Sequence, residues 1–186
     1  MAQTIQSKWT VQKTRRYDPP KTPRVLIQAE AAGLEYGGQT ATYPDVNTDR
    51  RIYVNINGTN VVNASAPRSY RFVQLRANSS GWSLIANNSY DVYGSQPEAD
   101  AALAFLQTFQ TDDLLIMNTW DEPTNRRGTF QNYLIEYFGS NMASYSREFR
   151  DAHLLIATYQ TKTVFYEEHA PRYPTSTMPY CTMWLP

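Results

Sequence analysis

The segment from Thr111 to Ser140 limits the fold more than any other part of this sequence. Leu114–Met117 is a short uninterrupted apolar run, which is typical of a buried strand. A helix that Thr124 can cap is predicted next, and Gly139 can adopt the left-handed conformation that ends it. The apolar face of this helix is formed at helical spacing by Phe130, Tyr133, Leu134, Tyr137 and Phe138.

Other segments predict further strands and a second helix. Asn57-Gly58 is a strong signal for a hairpin turn between a half-buried strand at Arg51–Ile56 and a return at Asn60–Asn63. Pro97 suits the first position of a helix. The apolar face of that helix consists of Ala102, Phe105, Leu106 and Phe109. The remaining predicted strands are Val25–Ile27, Tyr70–Leu75, Trp82–Ala86, 114–119, His153–Tyr159 and Thr163–Glu167.

Together these elements predict one α+β body of two packed, mostly antiparallel β-sheets with two flanking helices. The body spans residues 25–167. A basic extended arm is predicted at residues 1–24, and an extended tail rich in proline and aromatic residues at residues 168–186. Whether the first strands, at residues 25–76, form a β-layer of their own stays open at this point.

Six short motifs follow one another between Gln74 and Val164. They are Gly81-Trp82-Ser83-Leu84-Ile85, Tyr90-Asp91-Val92-Tyr93, Phe105-Leu106, Asp121-Glu122, Phe138-Gly139-Ser140 and Phe149-Arg150-Asp151. In this order they resemble the interleukin-like epithelial–mesenchymal-transition inducer domain, also called the PANDER-like domain. The resemblance covers roughly half of the chain and implies a fold of that kind.

The chain departs from the secreted animal members of that family, which resemble disulfide-stapled, cytokine-like proteins with a signal peptide. Its single cysteine, Cys181, cannot form an internal disulfide. The N-terminal sequence MAQTIQSKWTVQ has no apolar core of the kind found in signal peptides, and no stretch approaches the length of a membrane span. A secreted hormone is therefore not expected.

Charge is distributed unevenly, although the net charge is zero. Residues 1–24 contain six basic residues and one acidic residue, whereas the rest contains eleven basic and sixteen acidic residues. A basic arm on an acidic body predicts docking onto an acidic partner or a neighbouring copy, with a solvated tail as the alternative. The residues predicted to bind a partner are Lys8, Trp9, Lys13, Arg15, Arg16, Tyr17, Lys21 and Arg24.

Catalytic candidates are few. His153 and His169 are expected on different strands or loops. A metal site could use His169 with the glutamates before it, but no second ligand cluster is spaced for one, so a solvated polar loop is preferred. Cys181 has no neighbouring His or Asn and is expected to be a buried or inert thiol. We therefore predict no catalytic residue, metal ligand or cofactor.

An acidic pair at the end of the apolar strand gives a further hypothesis. Asp121 and Glu122 stand where enzymes often place general acids, so a hydrolase is one interpretation. The preferred interpretation is that the two residues end the strand and favour the start of the next helix. Arg15-Arg16 and Arg126-Arg127 are only short basic pairs on an acidic body, so nucleic-acid binding is not predicted.

Sugar binding is favoured by the abundance of tyrosine and tryptophan, which combine a flat apolar face with a polar edge. A related domain forms the stem of a protein O-mannose N-acetylglucosaminyltransferase, where it resembles a carbohydrate-binding module. The candidate glycan-binding residues are Trp120, Asp121, Glu122, Tyr90 and Asp91, and Trp82, Trp184 and Tyr93 could supply further flat faces. The alternative is that these aromatic residues lie in the core or at a protein interface.

The function expected from these features is that of a non-enzymatic structural component of a tailed-phage virion, in the tail fibre, collar or baseplate. It would be assembled in the host cytoplasm and would dock through its terminal arms onto other virion proteins and copies of itself. The alternative is a carbohydrate-binding module that contacts host-surface glycans. Both expectations rest on the family resemblance and on residue usage.

Overall fold

The computed structural model describes residues 25–33, 53–62, 68–79, 81–121, 125–145, 151–170 and 179–185. These residues form three layers. A small sheet packs on one face of a larger sheet, and the helices cover the other face. The predicted α+β class, with two mostly antiparallel sheets and two helices, is therefore confirmed.

The described residues contain ten strands and two α-helices. The strands are β1 (Val25–Glu30), β2 (Ala32–Gly33), β3 (Tyr53–Ile56), β4 (Thr59–Val62), β5 (Ser69–Asn78), β6 (Gly81–Asp91), β7 (Leu114–Asp121), β8 (Ala152–Thr158), β9 (Val164–Ala170) and β10 (Tyr180–Leu185). The helices are α1 (Gln96–Leu106) and α2 (Gly128–Tyr133), and α2 continues as a π-helical turn at Leu134–Phe138. A short 3₁₀ turn follows at Met142–Ser144.

The small sheet has the order β10-β1-β3-β4, and all of its neighbouring strands are antiparallel. The β3–β4 hairpin turns at Asn57 and Gly58, which both have positive φ, as the Asn-Gly signal predicts. The larger sheet has the order β6-β5-β7-β8-β9, and β2 pairs in parallel with the end of β7. Of the strands within residues 25–76, β1, β3 and β4 thus form a separate β-layer together with β10, whereas β2 and β5 belong to the larger sheet.

Alternation along the strands divides the apolar residues between two cores. On β7, Leu114 and Ile116 face the small sheet, whereas Leu115 and Met117 face the helices. Successive side chains of a strand point to opposite faces, so a strand covered on both sides reads as an unbroken apolar run. Burial of β7 on both faces therefore explains the uninterrupted apolar run at Leu114–Met117.

The core beneath the helices is rich in aromatic rings. The ring of Phe130 meets those of Tyr70 and Phe72 edge to face, at centroid distances of 5.1 and 5.6 Å. Phe109 and Phe138 make the same kind of contact at 5.3 Å. Such pairs favour one relative orientation in addition to burying apolar area, which fixes the helices on the sheet.

The end of the second helix is determined by Gly139. Its φ of 73° is left-handed, and the amide of Ser140 donates to the carbonyl of Leu134 at 3.2 Å. A Cβ at Gly139 would lie 3.0 Å from the carbonyl oxygen of Lys162. Glycine is therefore needed twice here, for its conformation and for the close approach of the β8–β9 turn.

Four local predictions differ from the structure. The segment predicted as a tail from residue 168 contributes the end of β9 and all of β10, because both strands complete sheets. His169 lies within β9 and not in a loop. Pro97 is the second residue of α1, since Ser95 caps the helix. The second helix begins at Gly128 after Arg127, later than a cap at Thr124 implies, and Thr124 itself lies outside the described residues.

Candidate functional site

The outer face of the small sheet carries exposed aromatic side chains. On β10, Cys181, Met183 and Leu185 point towards the core between the sheets. The alternate residues Tyr180 and Trp184 therefore point away from it, and they are 43% and 61% exposed. Burying an aromatic ring is strongly favourable, so two open rings on one face of a strand mark a surface that can hold a ligand.

A row of polar, uncharged residues crosses the sheet between the two rings. Thr182 lies between Tyr180 and Trp184 and is paired across the ladder with Gln28 of β1, which is paired in turn with Asn55 of β3. The Nδ2 of Asn55 donates to the Oε1 of Gln28 at 3.4 Å. Amide and hydroxyl groups of this kind can both donate and accept hydrogen bonds, which suits a ligand rich in hydroxyl groups.

Two hydrogen bonds of Tyr180 hold this end of β10. Thr182 donates from its Oγ1 to the hydroxyl of Tyr180 at 2.7 Å, and the hydroxyl of Tyr166 donates to the carbonyl of Tyr180 at 3.0 Å. Because the Tyr180 hydroxyl accepts from Thr182, its own proton can be donated to another group. The ring is thus oriented by its neighbours while its face stays open.

Glu30 is the charged residue of this surface. It is paired across the ladder with Tyr180 and with Tyr53, and partial burial raises the pKa of its carboxyl to about 7. The described residues of the four strands contain no lysine, arginine or histidine. This surface therefore combines two rings, a neutral polar row and a single carboxyl, which we call the aromatic face: Leu26, Gln28, Glu30, Asn55, Tyr180, Thr182 and Trp184.

The predicted glycan-binding residues do not share one surface. Trp120 is only 7% exposed and packs in the core between the sheets, whereas Tyr90 packs on the opposite side of the larger sheet, against Phe72 and Phe105. Asp91 accepts from Arg68 at 2.7 Å and from the amide of Gly94 at 2.9 Å. Trp120 is a core residue because β7 is covered on both faces, whereas Tyr90 is half-buried on the edge strand β6 and packs against the core beneath the helices.

The other predicted site residues lie beyond what the structure describes. Asp121 ends β7, but its side chain is outside the described part, as is all of Glu122. All eight residues of the predicted partner-binding arm lie in residues 1–24, also outside it.

A second cluster of polar residues is buried under the helix layer. His153 and His169 are directly opposite each other on β8 and β9, with ring centroids 6.3 Å apart. The Nε2 of His153 lies 3.0 Å from Glu167, and the Nε2 of His169 lies 2.9 Å from Asp151. Tyr145 stacks on His169 at 4.8 Å. We call Tyr145, Asp151, His153, Glu167 and His169 the histidine cluster.

Glu167 joins this cluster to the end of the second helix. Its carboxylate accepts from Ser140 Oγ at 2.6 Å and from the amide of Asn141 at 2.7 Å, in addition to His153. Burial raises the pKa of Glu167, but the hydrogen bonds from His153, Asn141 and Ser140 outweigh it and lower the pKa below its usual value. The ionised carboxylate only accepts, so the Nε2 of His153 carries the proton.

His153 is held in its neutral form. Its side chain is 1% exposed, and among the described residues its Nδ1 has no hydrogen-bond partner. Desolvation lowers the pKa of His153, the bond to Glu167 opposes this, and His169 and Arg127 lower it further. A buried, neutral imidazole bonded to a carboxylate that is already saturated serves packing better than proton transfer.

The structure brings together residues that sequence reasoning kept apart. The histidines lie on two different strands, as expected, but only the β8–β9 pairing shows that they stand directly opposite each other. The aromatic face was also missed, because Thr182 is the one polar residue of YCTMWL and the segment shows no clear alternation of polar and apolar residues. Its aromatic and apolar residues were the available signal for a strand, but the prolines before it favoured an extended tail.

Comparisons with known proteins add no assignment: no family model matches this chain, and no curated protein matches it either. No helix in the described part is long and apolar enough to cross a membrane. Among the same residues, no group of three or more His, Cys, Asp or Glu side chains is arranged to hold a metal ion. Cys181 is buried, and desolvation raises the pKa of its thiol to about 11.

Proposed function

We propose that this protein is a non-enzymatic carbohydrate-binding module that takes its ligand on the aromatic face. The observation that carries this proposal is the exposure of Trp184 and Tyr180 on one side of a polar, uncharged row. A pyranose ring has a flat face of C–H groups that packs on an aromatic ring, and a rim of hydroxyls that needs hydrogen-bonding partners. Thr182 and Gln28 supply such partners next to the rings.

Two features favour binding over catalysis at this surface. Glu30 is the sole carboxyl within the described residues of the four strands, whereas glycoside hydrolysis normally uses a pair of carboxyl groups. The carboxylates of the histidine cluster lie in the opposite layer and are themselves buried and hydrogen-bonded. The aromatic face is therefore better suited to hold a sugar than to cleave one.

A glycan array, followed by calorimetry on the glycans it identifies, tests this proposal. Wild-type protein should bind at least one class of glycan, and Trp184→Ala should weaken that binding about tenfold, which corresponds to the loss of one aromatic contact. Ile85→Ala is the matched control, because Ile85 is 46% exposed on the edge strand of the other sheet. An array without signal for the wild type, or equal losses in both variants, would count against the proposal.

The virion role stays a prediction of the sequence, since it rests on the family resemblance and on residue usage, and its predicted anchoring arm at residues 1–24 lies outside the described residues. Deleting these residues should leave the fold intact and abolish incorporation into particles, which electron microscopy and mass spectrometry of purified particles can detect. Normal incorporation of the truncated chain would contradict the anchoring role. A glycan-binding module at the surface of a virion would satisfy both predictions.

A further inference from the structure

The outer edge of β10 is a row of backbone groups that no other described strand covers, because β10 ends the small sheet. The amide of Ala31 donates to the carbonyl of Pro179 at 3.1 Å, and β10 continues from there in register with β1. Neighbouring residues of an antiparallel strand turn their N–H and C=O groups to opposite sides, so every second residue from Pro179 bonds to β1. The residues between them direct these groups away from the sheet, and they are Tyr180, Thr182 and Trp184.

A hydrogen bond from the larger sheet agrees with this orientation. The hydroxyl of Tyr166 donates to the carbonyl of Tyr180 at 3.0 Å, so this carbonyl does not serve the ladder with β1. Since a carbonyl oxygen has two lone pairs, it can still accept from a further strand. Tyr180, Thr182 and Trp184 are all exposed, and the edge is therefore open to an added strand.

The edge of β10 lacks the features that protect the other edge strands. An irregularity in register interrupts the pairing of β6 with β5, of β9 with β8 and of β4 with β3. Natural edge strands resist pairing with another chain through such bulges, through charged side chains and through proline. None of these features occurs within Tyr180–Leu185, whose six residues pair with β1 without a shift. An edge of this kind is a template for a strand from another chain.

The side chains of β10 are arranged symmetrically about Thr182. Tyr180 and Trp184 flank it on the outer face, and Cys181 and Met183 flank it on the core face. In an antiparallel pair with Thr182 opposite Thr182, Tyr180 stands opposite Trp184 of the second copy. Cys181 then stands opposite Met183 of the second copy. This register matches aromatic, apolar and hydroxyl side chains with their own kind, and the outward backbone groups of both strands meet each other.

We propose that β10 binds β10 of a second copy of this chain, in an antiparallel register centred on Thr182. The two small sheets then join into one continuous sheet, and the two aromatic faces lie side by side on the same side of it. This contact does not depend on sugar binding. It is made by β10 and not by the predicted arm at residues 1–24.

Sedimentation equilibrium of the full chain, without sugar, tests this proposal. The wild type should be a dimer at about 100 µM. Thr182→Lys and Thr182→Glu should each weaken dimerisation at least about tenfold, because they place like charges directly opposite each other at the centre of the contact. An equimolar mixture of the two variants should restore the dimer, since opposite charges then meet. Ile85→Lys, at an exposed position of the edge strand β6, is the matched control and should dimerise like the wild type.

Four outcomes would overturn the proposal. A wild type that is monomeric at this concentration would do so, as would a dimer that both Thr182 variants retain. Loss of the dimer in both variants without recovery in their mixture would contradict the register centred on Thr182. Loss of the dimer on deletion of residues 1–24, with retention in the Thr182 variants, would assign the contact to the arm. Circular dichroism of each variant establishes that it is folded.

Discussion

The aromatic face and the histidine cluster use similar side chains with opposite results. Tyr145 in the cluster stacks on a histidine ring, and its hydroxyl is desolvated, which raises its pKa to about 12. Trp184 on the aromatic face is 61% exposed. The cluster pairs its carboxylates with donors inside the protein, whereas the aromatic face exposes the rings of Tyr180 and Trp184 to solvent.

This difference shows that residue type alone does not identify a binding site. Two histidines beside two carboxylates are typical of catalytic sites, but here Glu167 already accepts three hydrogen bonds and His153 is held neutral. A group whose hydrogen bonds are complete has little capacity left for a ligand. We therefore expect the cluster to control stability and the aromatic face to control binding, and four measurements can test that division.

Glu167→Ala should have the largest effect on stability. The change leaves the donors of Ser140, Asn141 and His153 without their acceptor. Breaking a buried, charged network typically costs about 3–5 kcal/mol in the free energy of unfolding. Urea unfolding measures this loss, and Glu136→Ala, at an exposed position of the π-helical turn, is the control. Similar losses in both variants would refute the structural role of the cluster.

Gly139→Ala should come next, with a loss of about 2–3 kcal/mol from left-handed strain and overpacking together. The new Cβ would lie 3.0 Å from the carbonyl oxygen of Lys162. Gly58→Ala separates the two causes, because φ is 81° there but no atom lies within 4 Å of the new Cβ. If both variants lose equal stability, the close approach at Gly139 does not contribute to the loss in the free energy of unfolding.

The dependence of stability on pH should differ between the two regions. The folded-state pKa of His153 lies below its unfolded value of 6.5, so the unfolded chain binds more protons below that pH and stability falls as the solution is acidified. The pKa of Glu30 is raised from 4.5 to about 7, so the folded chain binds more protons between these values and stability falls as pH rises through them. The two contributions have opposite signs.

Urea midpoints between pH 5 and pH 8 separate these contributions. Glu30→Gln should remove the loss of stability that accompanies ionisation of Glu30 at higher pH. The variant should therefore be more stable than the wild type at pH 8, by about 1–2 kcal/mol in the free energy of unfolding. His153→Gln should remove the rise in stability with pH that His153 contributes. The free energy of unfolding of this variant should therefore decline from pH 5 to pH 8. Parallel curves for the wild type and both variants would contradict this assignment of the titrating groups.

Trp184→Ala should change stability least, by less than about 0.5 kcal/mol, because the side chain is mostly exposed. Trp120→Ala is the matched comparison and should cost about 3–5 kcal/mol, since Trp120 is buried in the core between the sheets. Thermal or urea unfolding of the two variants measures both values. A large loss of stability in Trp184→Ala would mean that this ring packs against the protein and is not available to bind a ligand.

Local sequence patterns predicted most of the secondary structure. The apolar run at 114–117, the Asn-Gly hairpin and the helix stop at Gly139 were all identified correctly, because each depends on residues that are near neighbours in the chain. A β-strand rises and alternates in the same way wherever it lies, so its pattern is readable without knowledge of its partners. The α+β class followed from these elements.

The same local patterns did not show which layers of the fold cover each strand. Trp120 and Trp184 are both tryptophans within β-strands, yet one is buried between two sheets and the other faces solvent. Burial depends on which layers cover a strand, and β10 reaches the small sheet only by pairing with β1, more than a hundred residues away in the chain. Alternation of residue types indicates that a strand has two different faces, but it does not indicate which element packs on each face.

The sequence by itself thus determined the elements, their turns and the class of the fold, because these follow from interactions between near neighbours. Only the tertiary structure decided that His153 stands opposite His169, that Glu167 joins them to the helix end, and that Tyr180 and Trp184 share an open face. Strand pairing and layer packing join residues that are far apart in the chain. The burial that separates a structural cluster from a binding surface arises only when those layers come together.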